Sequence, residues 1–344
     1  MVATGSEYGD SHAPSITAAA VTDDLRWFAP NEYTALIVPE LRRRGLAVAA
    51  SGDRPARVAV AMSGRSAEVA WRYARARRTR LLVYLWDLPP EGTGSGRYDP
   101  VWSLGGRLVS LPRLWSGYAQ RRGYYSRLRY IAARADAVWV PSALTREIVH
   151  QRFDVSAKRV PYCYDSGRFV PRAAAAKLTP PTLLTVSRLR PHKNQAAVLH
   201  AAAALSVPVE VRLIGRGPDA GALETLAQRL GVRCRVETQA DDVAVTRAYH
   251  EAAVAVCPSR FEGFGLTPIE AVASGIPVVA SDIPPHREFV GAAARLVPPD
   301  DVAALARHIA DALNAEPADC SLVRDLTIAA AAERFVSSLQ PLLR

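Results

Sequence analysis

Pro258-Ser-Arg-Phe-Glu-Gly-Phe-Gly-Leu-Thr-Pro-Ile-Glu-Ala271 follows the short apolar run Val254–Cys257. A strand that feeds a glycine-bearing loop, which in turn opens a helix, is one βα unit of a parallel sheet. Thr267 is expected as the N-cap of that helix and Pro268 as its first helical residue. The N–H groups at a helix start lack intrahelical partners and carry partial positive charge, which suits phosphate or sugar oxygens. Gly263 and Gly265 let such a ligand approach the backbone. Glu262 and Glu270 are eight residues apart, one before the helix and one in its first turn, so a hydroxyl-rich ligand across the helix start meets both carboxylates. Two other readings stand beside this one. Thr267-Pro-Ile-Glu270 is also a T-x-x-E capping box that needs no ligand, and a loop glutamate such as Glu262 is ordinarily solvated.

Outward from that unit, strands and helices alternate. Before it come a strand at Thr182–Val186, a helix at 194–205, a strand at 209–214 and a helix at 219–230 stopped by Gly231; after it, a helix at 267–274 and a strand at 276–280. Ser187-Arg-Leu-Arg-Pro-His-Lys-Asn194 leaves the first of these strands, so Arg188 and Lys193 stand at the carboxyl edge of the sheet. There Arg offers a forked contact and Lys a point charge for a diphosphate; a basic loop is also commonly just solvated. Gly215-Arg216-Gly217 is a second glycine turn after a strand, weak as a signal because tight turns favour glycine whatever their function.

The first half alternates too: apolar runs at 15–21 and 57–62, helices at 31–44 (ending at Gly45) and 65–80, a strand at 81–86, a Gly/Pro/Ser-rich loop at 89–96, a basic helix at 113–134 and a strand at Ala137–Val140. A linker is expected over 171–181. The pattern predicts an α/β chain of two doubly wound, Rossmann-like domains facing each other across a cleft, with ligands beyond the carboxyl ends of the strands. The expected divisions are 1–177, 178–322, and a last helix in 323–344.

Hydrophobic residues make up 49% of the 344 residues and charged residues 22%, a globular composition rather than a disordered one. Cys163, Cys234, Cys257 and Cys320 are widely spaced and read as reduced, buried thiols. No run of about 18 apolar residues exists to span a membrane. The first 25 residues carry Glu7, Asp10, Asp23 and Asp24 but no Lys or Arg, the reverse of a secretory signal, so a cytoplasmic location is expected. A net charge of +10 favours anionic partners, whether nucleic acid, acidic membrane or phosphate-bearing small molecules. No helix-turn-helix, zinc or RNA-binding signature accompanies it, and no nucleic-acid partner is expected. Two arginine clusters (72, 75, 77, 78, 80 and 121, 122, 127, 129) are either a solvated face or a surface for an anionic acceptor or an acidic membrane.

Taken together, the run from Leu183 to Asn194, Leu213-Ile-Gly-Arg-Gly-Pro218, the run from Phe261 to Ala280, and Leu296-Val-Pro-Pro-Asp-Asp301 resemble the family-4 glycosyltransferases of the GT-B fold, over about residues 178 to 315. That resemblance implies a hexosyl transferase that retains anomeric configuration, takes a nucleoside-diphosphate sugar as co-substrate, and needs no metal and no other cofactor. It implies that Arg188 and Lys193 bind the donor diphosphate. Glu262 would contact sugar hydroxyls, Gly263, Phe264, Gly265, Leu266 and Thr267 would lie against sugar and phosphate with Gly215 and Arg216 nearby, and Glu270 would hold the ribose. Front-face departure of the nucleoside diphosphate asks for stabilisation of the leaving charge and positioning of two substrates, not for a side-chain nucleophile.

The first half matches less well. Many family members carry a glycine pair where Ala29-Pro-Asn-Glu32 stands, and a His-Asp pair where Trp86-Asp87 stands. Asp87 is the acceptor-side candidate, although a strand-end Asp is also an ordinary turn residue. Trp86 reads either as a sugar-stacking wall or as a core aromatic. The acceptor is expected to be a sugar, a lipid-linked sugar or a natural product, with peripheral association at an anionic inner membrane face as an extension. Two other functions fit the architecture: a non-catalytic nucleotide-sugar-binding protein, and a sugar-nucleotide epimerase, for which the E-x7-E spacing offers no support. A phosphorylase would need a cofactor-lysine motif that is not seen.

Overall fold

The computed structural model describes residues 15–18, 29–49, 56–86, 88, 123–171 and 179–344. Asp87, the 89–96 loop, Arg121 and Arg122, the start of the expected basic helix and residues 172–178 of the expected linker lie outside them.

The chain forms two six-stranded parallel sheets. In the first, β1 (Ser15–Ala18), β2 (Ala47–Ala49), β3 (Val58–Ala61), β4 (Arg80–Tyr84), β5 (Ala137–Val140) and β6 (Lys158–Arg159) lie in the order β2-β1-β3-β4-β5-β6. Helices α1 (Ala29–Arg43), α2 (Ala67–Arg77), α3 (residues 123–132) and α4 (Ala143–Phe153) connect or cover them.

The second sheet contains β7 (Thr182–Val186), β8 (Glu210–Ile214), β9 (Cys234–Glu237), β10 (Val254–Cys257), β11 (Val278–Ser281) and β12 (Ala294–Val297), in the order β12-β11-β10-β7-β8-β9. Its helices are α5 (Gln195–Ala203), α6 (Ala220–Leu230), α7 (Asp242–Glu251), α8 (Leu266–Ala273), α9 (Pro284–Val290) and α10 (Val302–Leu313). The strands read as they do because both faces of a parallel sheet are covered: β3, β10 and β11 (VAVA, VAVC, VVAS) are buried at every position, so they are continuous rather than alternating in apolarity.

The second sheet reverses direction between β7 and β10, its first and fourth strands. That is the Rossmann order, whose ligand crevice lies where the loops leaving those two strands diverge. A last helix, α11 (Ile328–Leu343), packs against α1. Arg80, which opens β4, and Arg57, just before β3, donate to the carbonyls of Pro341 and Leu343 at 3.1 and 2.8 Å, satisfying acceptors at its C-terminus. One apolar cluster runs from Ile37 on α1 and Trp139 on β5 in the first half to Phe264 before α8 and Ile269 on α8 in the second.

Candidate functional site

The loop leaving β7 is anchored by Leu189, fully buried. The Gln195 side-chain amide donates to Ser187 Oγ and Arg188 O, each at 2.8 Å. With its backbone so fixed, Arg188 is exposed at the sheet edge. A 3-10 turn, Pro191–Lys193, then carries the chain into α5. The loop leaving β10 is tied to that turn by Arg260, whose N–H donates to His192 O (2.8 Å) and whose guanidinium donates to Pro191 O (3.0 Å).

These ties bring Lys193 Nζ to 2.5 Å from Glu262 Oε1. The lysine and glutamate side chains are only 12% and 16% exposed, so the reading of Glu262 as a freely solvated loop residue does not hold. Burial pushes the Glu262 carboxyl up, but Lys193 by charge and hydrogen bond, together with His286 and Ser259, outweighs it and holds the pKa at about 2. The contribution of the ionised form to stability is therefore complete above the ordinary glutamate range near 4.5 and is lost as pH falls toward 2. In urea titrations, the stability gap between the wild type and Glu262→Gln is expected to be constant from pH 8 to about 5 and to close below that. A gap that closes between pH 6 and 8 would mean the carboxylate is not held by its cation.

The start of α8 differs from the expectation. Gly265, not Thr267, is the N-cap, and Pro268 is the third helical residue rather than the first. The capping box does not form: the Thr267 hydroxyl donates to Val186 O at 3.0 Å, tying α8 to the end of β7. Glu270 Oε2 accepts from the Tyr249 hydroxyl at 3.1 Å instead. The helix starts early because Gly265 takes φ +89°, with no room for a side chain: a Cβ there would sit 2.9 Å from His286 Cδ2.

His286 is itself buried, and its Nδ1 lies 2.8 Å from Ser281 O. A carbonyl only accepts, so Nδ1 carries the proton; burial lowers the imidazole pKa and keeps it neutral. Its Nε2 has no hydrogen-bond partner among the described residues.

Gly263 and Phe264 are buried behind Glu262. Phe264 packs edge-on to Tyr162 (5.3 Å) and against Phe289 (4.4 Å). Gly215 has φ +148°, and its α-carbon lies so close to the basic loop that a Cβ would stand 1.8 Å from Ser187 O. It therefore serves close packing of the loops leaving β7 and β8. Arg216 is exposed, and its Nε donates to Thr238 O at 2.9 Å.

Between the domains lies a cleft of about 190 Å³ whose walls include Trp86, Tyr162, Asp165, Arg168, Leu266 and Glu270. Trp86 is a core aromatic that also lines this cleft. Its ring is 7% exposed, stacked on Tyr162 and 4.7 Å from Tyr84, with Nε1 donating to Met62 O, yet it faces the cleft. Arg168 crosses from the segment after β6 to α7, meeting Thr246 at 2.8 Å and Asp242 at 3.0 Å.

Sequence reasoning reached the two glutamates, the basic pair and the glycines. It missed Tyr249, Gln195, Arg260 and His286, which orient them. Tyr249, Arg260 and His286 carry no local signal, since they act on residues from another stretch of chain or by packing, and Gln195, which reaches back to the basic loop, is an ordinary helix-start residue in the sequence. Chemically the site offers cations, helix-start amides and two oriented carboxylates. Among the described residues no group of three or more His, Cys, Asp or Glu is placed to hold a metal ion, and no helix is long and apolar enough to cross a membrane.

Known proteins share this architecture. The chain superposes on sucrose-phosphate synthase from Thermosynechococcus elongatus over 96% of both chains, with a TM-score of 0.66 and 19% identity. It superposes on HepE from Anabaena, in complex with UDP-glucose, over 95% of both chains, with a TM-score of 0.63 and 17% identity. The fold is therefore GT-B. Residues 168–330 match the family described as Glycosyl transferases group 1. Over 206 residues the chain is 32% identical to the MMP alpha-(1->4)-mannosyltransferase of Mycolicibacterium hassiacum, covering 56% of this chain and 50% of that one. The chain thus spans about half the length of that relative.

Proposed function

We propose that the chain is a retaining, metal-independent glycosyltransferase of family 4 that moves a hexose from a nucleoside-diphosphate sugar to an acceptor hydroxyl. The observation that carries this reading is the Lys193–Glu262 pair, set where the second sheet reverses and beside the amides that open α8. As the sugar–oxygen bond breaks, negative charge grows on the diphosphate. Arg188, Lys193 and the α8 N-terminus supply positive potential that favours that change. Glu262, ionised throughout the neutral range, accepts hydrogen bonds from sugar hydroxyls and orients the ring. Glu270, steered by Tyr249, accepts from the ribose. Trp86 and Tyr162 give the acceptor an aromatic wall.

Mannose is the first sugar to test, because the relative's name specifies mannosyl transfer. The test is a thermal-shift screen with GDP-, UDP-, ADP- and dTDP-sugars, followed by product analysis with and without EDTA. Stabilisation by one donor, slow release of its free sugar, and a rate unchanged by EDTA are expected. Affinity without any turnover would make the chain a binding protein, and interconversion of the donor's sugar would make it an epimerase. Loss of the rate on chelation would overturn the metal-free chemistry.

On the acceptor side we propose contact with an anionic surface. Arg75 lies 5.1 Å over Trp71, Arg134 lies 3.6 Å over Tyr130, and the two rings meet edge-on at 5.8 Å. The exposed face of α2 and α3 thus interleaves guanidinium groups with aromatic rings, a combination suited to a lipid headgroup layer. Arg72 pairs with Glu68, and Arg80 serves α11, so Arg75, Arg77 and Arg78 form the part of the first cluster aimed at a surface. Replacing these three with Gln is expected to weaken binding to phosphatidylserine vesicles by more than about tenfold, at about 1 kcal/mol per arginine. Equal binding would defeat the membrane contact.

A further inference from the structure

Helix α4 of the first domain starts against the donor loop of the second. Ser142 caps it, its Oγ accepting from Thr145 N–H at 3.2 Å. The same hydroxyl lies 2.6 Å from Gly263 O, the carbonyl that follows Glu262. A hydroxyl has one proton, and at this distance the Ser142 proton belongs to Gly263. The Thr145 hydroxyl then chooses among Ser142 Oγ (3.0 Å), Gly263 O (3.2 Å) and Trp86 O (3.4 Å). Ser142 and Thr145 are fully buried, and no alternative partner is offered by solvent while the domains are together.

A second clasp lies alongside. Glu288 of α9 accepts the first amide of α4, from Ala143 at 2.9 Å, and also the Arg159 guanidinium. The helix start therefore carries a carboxylate from the opposite domain, the favourable sign for its dipole. One short network thus joins the cleft wall at Trp86, the α4 N-terminus and the loop that holds Glu262.

We propose that Ser142 and Thr145 are positioning residues: by holding the Gly263 carbonyl they give the Glu262–Gly265 loop its transfer-competent shape only when the two domains are closed. This rests on the glycosyltransferase reading. A nucleotide held by the second domain alone does not need the contact, whereas transfer, which brings an acceptor from the first domain, does. Without the two hydroxyls the closed state strands a buried carbonyl, and the open state becomes favoured.

The test compares Ser142→Ala/Thr145→Val with Ser142→Thr/Thr145→Ser, which keeps both hydroxyls and the helix cap. In the first variant GDP and UDP affinities are expected to stay within about threefold of wild type. Its kcat for transfer is expected to fall about tenfold, and its radius of gyration by small-angle X-ray scattering to rise. The second variant is expected to behave as wild type. Unchanged kcat and radius in the first variant would overturn the proposal. So would a parallel fall of nucleotide affinity, kcat and Tm, which marks a merely structural role. Wild-type protein that transfers sugar from no donor would instead overturn the glycosyltransferase reading, while the radius comparison still decides whether the contact holds the domains closed.

Discussion

Lys193→Met is expected to lower kcat/KM for sugar transfer by at least about 100-fold, two losses acting together. The first is the cation that the proposed function sets beside the departing diphosphate; charge-assisted hydrogen bonds of this kind contribute about 1.5–3 kcal/mol each. The second is the state of Glu262. Its carboxyl sits at about pKa 2 because Lys193 overcomes burial; without the lysine the burial remains and the attraction does not. Breaking a buried pair on one side costs about 3–5 kcal/mol. With side chains 12% and 16% exposed at a cleft edge, about 2 kcal/mol of stability is the expected loss. The double variant Lys193→Met/Glu262→Gln separates the two effects. It removes the stranded charge, so stability should return toward wild type while activity stays low. An active Lys193→Met enzyme would remove the basis for placing the leaving group here.

Gly215→Ala is expected to abolish folding, or to cost more than about 4 kcal/mol in urea unfolding, with loss of nucleotide binding. The new Cβ would meet Ser187 O at 1.8 Å, and the backbone would still need φ +148°. The obstructing atom belongs to backbone held by β7 pairing and by Gln195, so no side-chain rotation relieves the clash. Gly221→Ala is the matched control: on exposed α6, with nothing within 4 Å of its Cβ position, it is expected to add about 0.5–1 kcal/mol of stability by lowering the entropy of the unfolded chain. Equal stability of the two variants would show that the loops leaving β7 and β8 do not pack as described.

Much of the architecture was legible because its signals are local. β10 and β5 are runs of contiguous apolar residues and β7 (TLLTV) is rich in apolar and β-branched residues, and Gly231 ends α6 in the left-handed conformation that glycine adopts readily. Glu262, Arg188 and Lys193 stood out for the same reason, each lying between a strand and the next helix, and Glu270 for its place on the helix that follows Glu262. Helices α4, α7 and α10 were not read. Each is capped by a serine or aspartate at its start, and those caps were the unused signal. The Thr267 cap failed as an expectation because a T-P-x-E string satisfies the local rule, while the true boundary was set by a glycine conformation and by the Val186 carbonyl, which claims the threonine hydroxyl.

The amino-acid sequence by itself determined two alternating α/β halves and the strand-to-helix loops that carry the charged groups, because strand periodicity, helix stops and glycine turns act over a few residues. Only the tertiary structure decided which polar groups meet: Lys193 with Glu262 across 69 residues, Tyr249 with Glu270 across 21, Ser142 with Gly263 across 121. Those pairings depend on the order in which strands line up in the sheets and on how the domains face each other. Long-range packing fixes both, and no local rule encodes them.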